Sequence, residues 1–65
     1  SEMGILNKAV IEKNGLTYVM LVKSEENDTY LLEKIKVETG EISGDIIMII
    51  NHEQLEPNGK YLVRK

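Results

Sequence analysis

Asn14-Gly15 sits between two apolar runs in Ala9 to Val22, AVIEKNGLTYVMLV, and this constrains the fold more than any other feature of the chain. A two-residue type I′ turn needs positive φ at both central residues. Glycine adopts it freely, and asparagine tolerates it better than most residues do. The pair therefore predicts a β-hairpin, with strands over about Lys8 to Lys13 and Leu16 to Lys23. Alternation along the second strand sends Tyr18, Met20 and Val22 to one face and Val19 and Leu21 to the other.

The remaining segments read the same way. Ser24 to Asp28 is a polar connection of hairpin length. Thr29 to Glu38 alternates, with Leu31, Glu33, Ile35 and Val37 on a face that is core-bound toward its far end. Thr39 to Asp45, with Gly40 and Gly44, reads as a loop that pins Ile42 inward. Ile46 to Ile50 is apolar at every position, which predicts a strand covered on both faces. Asn51 to Asn58 reads as a single helical or 3₁₀ turn with Leu55 inward, ended by Pro57. Asn58-Gly59 marks another turn before a short closing strand, Lys60 to Arg64. Ser1 to Gly4 is expected to lie outside the folded part. The fold class is thus all-β: one domain over residues 1–65, a small antiparallel β-roll or barrel of about five strands, with at most one short helical turn.

A 65-residue chain buries only about 60% of the surface its unfolded form exposes, so its core is small. Natural domains of this size use a staple or a partner. The chain has no cysteine, which removes disulfides and thiolate zinc sites. A partner surface is left, so the chain is expected to be part of a larger protein or half of an assembly. The net charge of −3 disfavours a general polyanion binder or a membrane-surface binder. The run Ile46 to Ile50 is far shorter than the ~20 residues of a helical span.

Candidate chemistry is sparse. His52 has no second histidine or cysteine to complete a metal set, and with Glu53 and Glu56 it reads as a polar loop residue. Ser1, Ser24 and Ser43 lie in no nucleophile elbow. Glu25 to Asp28 lacks the spacing and glycine of a calcium loop. Asn27-Asp28-Thr29 matches the N-x-T acceptor pattern, which matters only in a eukaryotic secretory setting. Gly40 to Gly44 lacks the Lys-Ser/Thr of a phosphate loop. Met3, Met20 and Met48 could bind a soft metal ion, but read as packing. Tyr30 with Lys34 and Lys36 resembles a face that stacks bases and holds phosphates, with Glu33, Glu38 and Glu41 crowding it. No catalytic, cofactor or metal residue is assigned.

The order of these segments resembles the last domain of the periplasmic adaptors, or membrane fusion proteins, of tripartite efflux pumps. The corresponding residues are Ala9-Val10-Ile11, Asn14-Gly15-Leu16-Thr17-Tyr18-Val19-Met20-Leu21-Val22, Val37-Glu38-Thr39-Gly40, Gly44-Asp45-Ile46-Ile47-Met48-Ile49-Ile50 and Gly59-Lys60-Tyr61-Leu62-Val63. Asn51 to Gly59 departs from the family's tighter Gly-Leu and Gly-Asp pattern. The resemblance implies a non-catalytic, membrane-proximal β-roll and a fragment of a longer adaptor in the periplasm, held at the inner membrane through the full-length protein. It implies an inner-membrane transporter and other adaptor subunits as partners, a homo-oligomer among the assemblies, no nucleic acid, and no membrane insertion by this domain. Tyr18, Met20, Ile47 and Ile49 are the expected interface residues. The alternatives are a small single-stranded nucleic-acid-binding barrel and a generic extracellular β interaction module.

Overall fold

The computed structural model describes residues 3–51, 53–56 and 59–63. Asn14 (φ 53°) and Gly15 (φ 79°) form the expected left-handed pair. They join β2 (Ile11–Lys13) to β3 (Leu16–Glu26), with Lys13 opposite Leu16 and Ile11 opposite Tyr18. The other strands are β1 (Met3–Leu6), β4 (Thr29–Lys36), β5 (Thr39–Ser43) and β6 (Ile46–Ile49). They make two antiparallel three-stranded sheets, ordered β1-β6-β5 and β2-β3-β4. The all-β class holds.

Several boundaries differ from the sequence reading, each for a physical reason. β1 starts at Met3, inside the segment expected to lie outside the fold, and pairs with β6 from Met3–Ile49 to Leu6–Ile46. Gly4 permits that approach, because a Cβ there would lie 2.7 Å from Cγ2 of Ile46. The first expected strand is shortened by a 3₁₀ turn, Asn7–Ala9, in which the Val10 amide donates to the Asn7 carbonyl at 3.1 Å. The turn lets consecutive residues Ala9 and Val10 both face the core where the chain crosses between sheets. A strand would send one of them outward.

The connection read over Ser24 to Asp28 shrinks to two residues. Asn27 (φ 51°) and Asp28 (φ 64°) form a second left-handed pair, so Ser24, Glu25 and Glu26 stay in β3, with Glu25 opposite Tyr30. The hairpin absorbs one extra residue, Lys23, between the Val22–Leu32 and Ser24–Leu31 pairs. The segment read as a loop, Thr39 to Asp45, is mostly β5. Gly44 (φ 61°) with Asp45 closes a tight turn between Ser43 and Ile46. Thr39 pairs with Ile49 and Ile42 with Ile47, three steps on one strand against two on the other. That bulge breaks the period of two and hides the strand in the sequence.

The core lies between the sheets. Ile5, Ile47 and Ile49 come from one sheet and Val19, Leu21 and Ile35 from the other, with Ala9, Val10, Val37 and Leu55 closing the ends. Leu55 is inward as expected, in a turn rather than a helix, while Pro57, Asn58 and Arg64 lie outside the described residues. The closing strand is reduced to one bridge, Tyr61 against Leu21. It is flanked by Val22 donating to the Lys60 carbonyl (2.8 Å) and Leu62 donating to the Met20 carbonyl (3.0 Å). Ile42 faces the same side as Ile47 but stays 60% exposed, where the sheets splay.

Replacing Gly15 by valine forces a β-branched residue into left-handed backbone. Stability should fall by about 1–2 kcal/mol in urea unfolding, since the left-handed conformation carries a cost of that size. An unchanged midpoint would contradict the turn assignment.

Candidate interaction surfaces

Alternation sorts every strand residue onto an inner or an outer face, and the four expected interface residues divide between them. Tyr18 and Met20 lie half-buried on the outer face of β2-β3-β4. Ile47 and Ile49 point inward, 6% and 2% exposed, and belong to the core. The run Ile46 to Ile50 is thus covered on one face only. Its outward members are Ile46 (38% exposed), half-buried Met48 and Ile50 (61% exposed), beside Leu6. These outward residues, with Leu16 and Leu62 on the other sheet, are the surface the sequence reading missed. The signal was present in the parity of Ile47 and Ile49 against Ile46 and Ile50, but an unbroken apolar run conceals parity.

Charge separates by face as well. The Lys34 ammonium sits 4.4 Å from the centre of the Tyr18 ring, a cation–π contact on the outer face. Lys36 lies directly opposite Tyr18, and Lys13 opposite Leu16. Glu33 does not crowd these lysines. It is on the inner side, 3.6 Å from Lys23, and Lys23 also reaches Glu56 at 3.3 Å. Alternation from Val19 and Leu21 puts Lys23 on that side, and the bulge changes the side only of Ser24 and the residues after it. The Glu56 hydrogen bond and charge, with Glu33 adding to them, hold the Lys23 ammonium above its ordinary pKa.

A cleft of about 290 Å³ runs along β1, lined by Met3, Ile5, Ala9, Gly59, Tyr61 and Val63 among others. The Tyr61 hydroxyl donates to the Glu56 carbonyl at 3.4 Å. Burial, with Glu56 nearby, pushes the hydroxyl above its ordinary pKa.

The chemical candidates are not brought together. Met20 and Met48 lie on the outer faces of different sheets, while Met3 packs against the core. Ser24 is opposite Leu31 and Ser43 opposite Ile46, both exposed on strands. Asn27 and Asp28 are occupied as the turn of the β3–β4 hairpin. His52 and Ser1 lie outside the described residues. Among the described residues, no three acidic, histidine or cysteine side chains group as metal ligands, and no helix is long and apolar enough to cross a membrane. No family model matches this chain, nor does any curated protein or solved structure.

Two tests follow from the geometry. Ile49→Asp buries an unpaired carboxylate and should cost several kcal/mol, enough to unfold a domain this small, whereas Ile50→Asp should stay within about 0.5 kcal/mol of wild type. Thermal melts of the two variants compare them directly. Because the folded pKa of Tyr61 is raised, its contribution to stability is complete below the unfolded value of about 10 and is lost as pH rises through the folded one. Urea unfolding should therefore show stability declining above about pH 10, and declining less steeply in Tyr61→Phe.

Proposed function

We propose that the chain is a non-catalytic assembly module: the membrane-proximal end of an efflux-pump periplasmic adaptor, docking on an inner-membrane transporter and on neighbouring adaptor subunits in the cell envelope. The observation that carries this reading is the outward face of β1-β6-β5. There exposed Leu6 stands opposite exposed Ile46, half-buried Met48 lies opposite Gly4, and exposed Ile50 follows beside Gly40, on a sheet whose inner face already fills the core. An apolar sheet face of this kind marks an interaction surface. The adaptor assignment rests on the ordered segments from Ala9 to Val63. In the fold these supply the hairpin turn, the strand-ending Val37-Glu38-Thr39-Gly40, the Gly44-Asp45 turn and the closing bridge at Tyr61.

The test uses the adaptor and its transporter. With Ile46→Asp and Ile50→Asp together, the adaptor should fold normally and lose transporter binding in a pull-down from detergent. Binding equal to wild type by the folded double variant would remove this surface from the reading. A coding sequence upstream of Ser1 without a split lipoyl-like pair around a long heptad hairpin would remove the adaptor assignment itself.

A further inference from the structure

The outer face of β2-β3-β4 has a charge pattern at odds with the chain as a whole. The chain carries a net −3, yet alternation places Lys13, Lys34 and Lys36 on this face, and Lys60 joins them opposite Val22. Among the described residues none of the four has a carboxylate partner. The one acidic residue on the same face of β3 is Glu25, opposite Tyr30 at the far end of the hairpin, where Asp28 in the turn adds to it and Glu26 faces the other side. Half-buried Tyr18 and Met20 lie opposite Lys36 and Lys34, with Leu62 exposed beside Met20, and half-buried Val22 and Leu32 separate these lysines from Glu25. The face therefore runs from a base where lysines interleave with apolar side chains, through the Val22–Leu32 pair beside Lys60, to an acidic tip.

Glu25 cannot meet Lys34 or Lys36 within one molecule. It sits opposite Tyr30, four steps from Lys34 and six from Lys36 along a hydrogen-bonded ladder, about 13 and 20 Å at roughly 3.3 Å per residue. Both exceed the screening length of about 8 Å at physiological salt. The natural complement of the two charged ends is the same stripe reversed.

We propose that two copies of this chain pair through the outer faces of β2-β3-β4, antiparallel. The tip residues Glu25 and Asp28 of each copy lie over Lys34 and Lys36 of the other, and the Val22–Leu32 pairs cover one another. A two-fold axis through the middle of the stripe satisfies both charged ends at once and closes the assembly at two. A parallel stacking would set like charges against like. Aligned sheets pack at about 10 Å, a spacing that suits the side chains present. A nucleic acid strand fits less well, because the Lys34 ammonium occupies the Tyr18 ring and the same face ends in the acidic tip. The inference stands on this sheet's own charge pattern, so its failure would leave the adaptor reading to its separate test.

Charge exchange tests it. Sedimentation equilibrium of the wild-type chain across a concentration series should show a monomer–dimer equilibrium that weakens with added salt. K34E/K36E and E25K/D28K, each alone, should weaken dimerisation by at least about tenfold, since like charges then face each other. Mixed one to one, the two variants should restore a heterodimer, because both charged contacts become attractive again. Circular dichroism confirms the fold of each variant, and K36E alone replaces K34E/K36E if the latter does not fold. A wild-type chain that stays monomeric throughout overturns the proposal. So does a mixture that remains monomeric, or an E25K/D28K variant that gains affinity for single-stranded oligonucleotide or anionic vesicles while dimerising as wild type does.

Discussion

The structure depends on the burial of Val19 and Leu21, 0% and 1% exposed, in the middle of an eleven-residue strand. β3 pairs with β2 at its start, with β4 along most of its length, and with the segment around Tyr61 at its centre. Its inward side chains meet Ile5, Ile47 and Ile49 from the other sheet. A chain without cysteine has no covalent substitute for this contact. β2, β4 and the segment around Tyr61 are placed by hydrogen bonds to β3, and β6, packed across the core, carries β1 and β5 on its two edges.

The bulge at Lys23 lets this long strand serve two environments. Below it, β3 alternates between core and surface. Beyond it, the hairpin projects into solvent, with Tyr30 and Leu31 52% and 62% exposed. Lys23, inward by alternation with Val19 and Leu21, reaches Glu33 and Glu56 and fastens the 53–56 turn to β3 through exposed ion pairs. Such pairs are weak individually and serve mainly to fix geometry. Their consequence for the outer face is larger: Glu33 is engaged on the inner side, and Lys34 and Lys36 are left without a neighbouring acid.

What the sequence disclosed follows from which signals are local. Asn14-Gly15 announced its turn because the required φ values admit few residues, and the alternation of Tyr18 to Val22 announced its faces because nothing interrupts it. The adaptor segments were likewise visible as residues, though their meaning is not fixed by the fold. β5 was concealed by a bulge at Gly40-Glu41, and the corner at Asn7–Ala9 by a crossing between sheets that no local propensity encodes. The β3–β4 turn was overestimated because Ser24, Glu25 and Glu26 are polar, and polarity on a projecting hairpin says nothing about pairing. For the candidate surface, Tyr18 and Met20 could be assigned by alternation. Ile47 and Ile49 could not be told from Ile46 and Ile50, because the apolar run erases the contrast that reveals a face.

That missing contrast bears on function. A strand needed only to close a core would place polar residues outward, as antiparallel sheets with one wet face do. β6 does not: Ile46 and Ile50 face outward behind an inner face already completed by Ile47 and Ile49. β3 repeats the departure on the second sheet, where Tyr18, Met20 and Val22 back onto Val19 and Leu21. Two sheets, built from different parts of the chain, carry the same excess of outward apolar side chains. The interior does not require it, and the solvent penalises it. Exposed apolar faces of this kind are where a small domain gains most from being covered, which makes them, rather than any pocket between the sheets, the candidate surfaces of this chain.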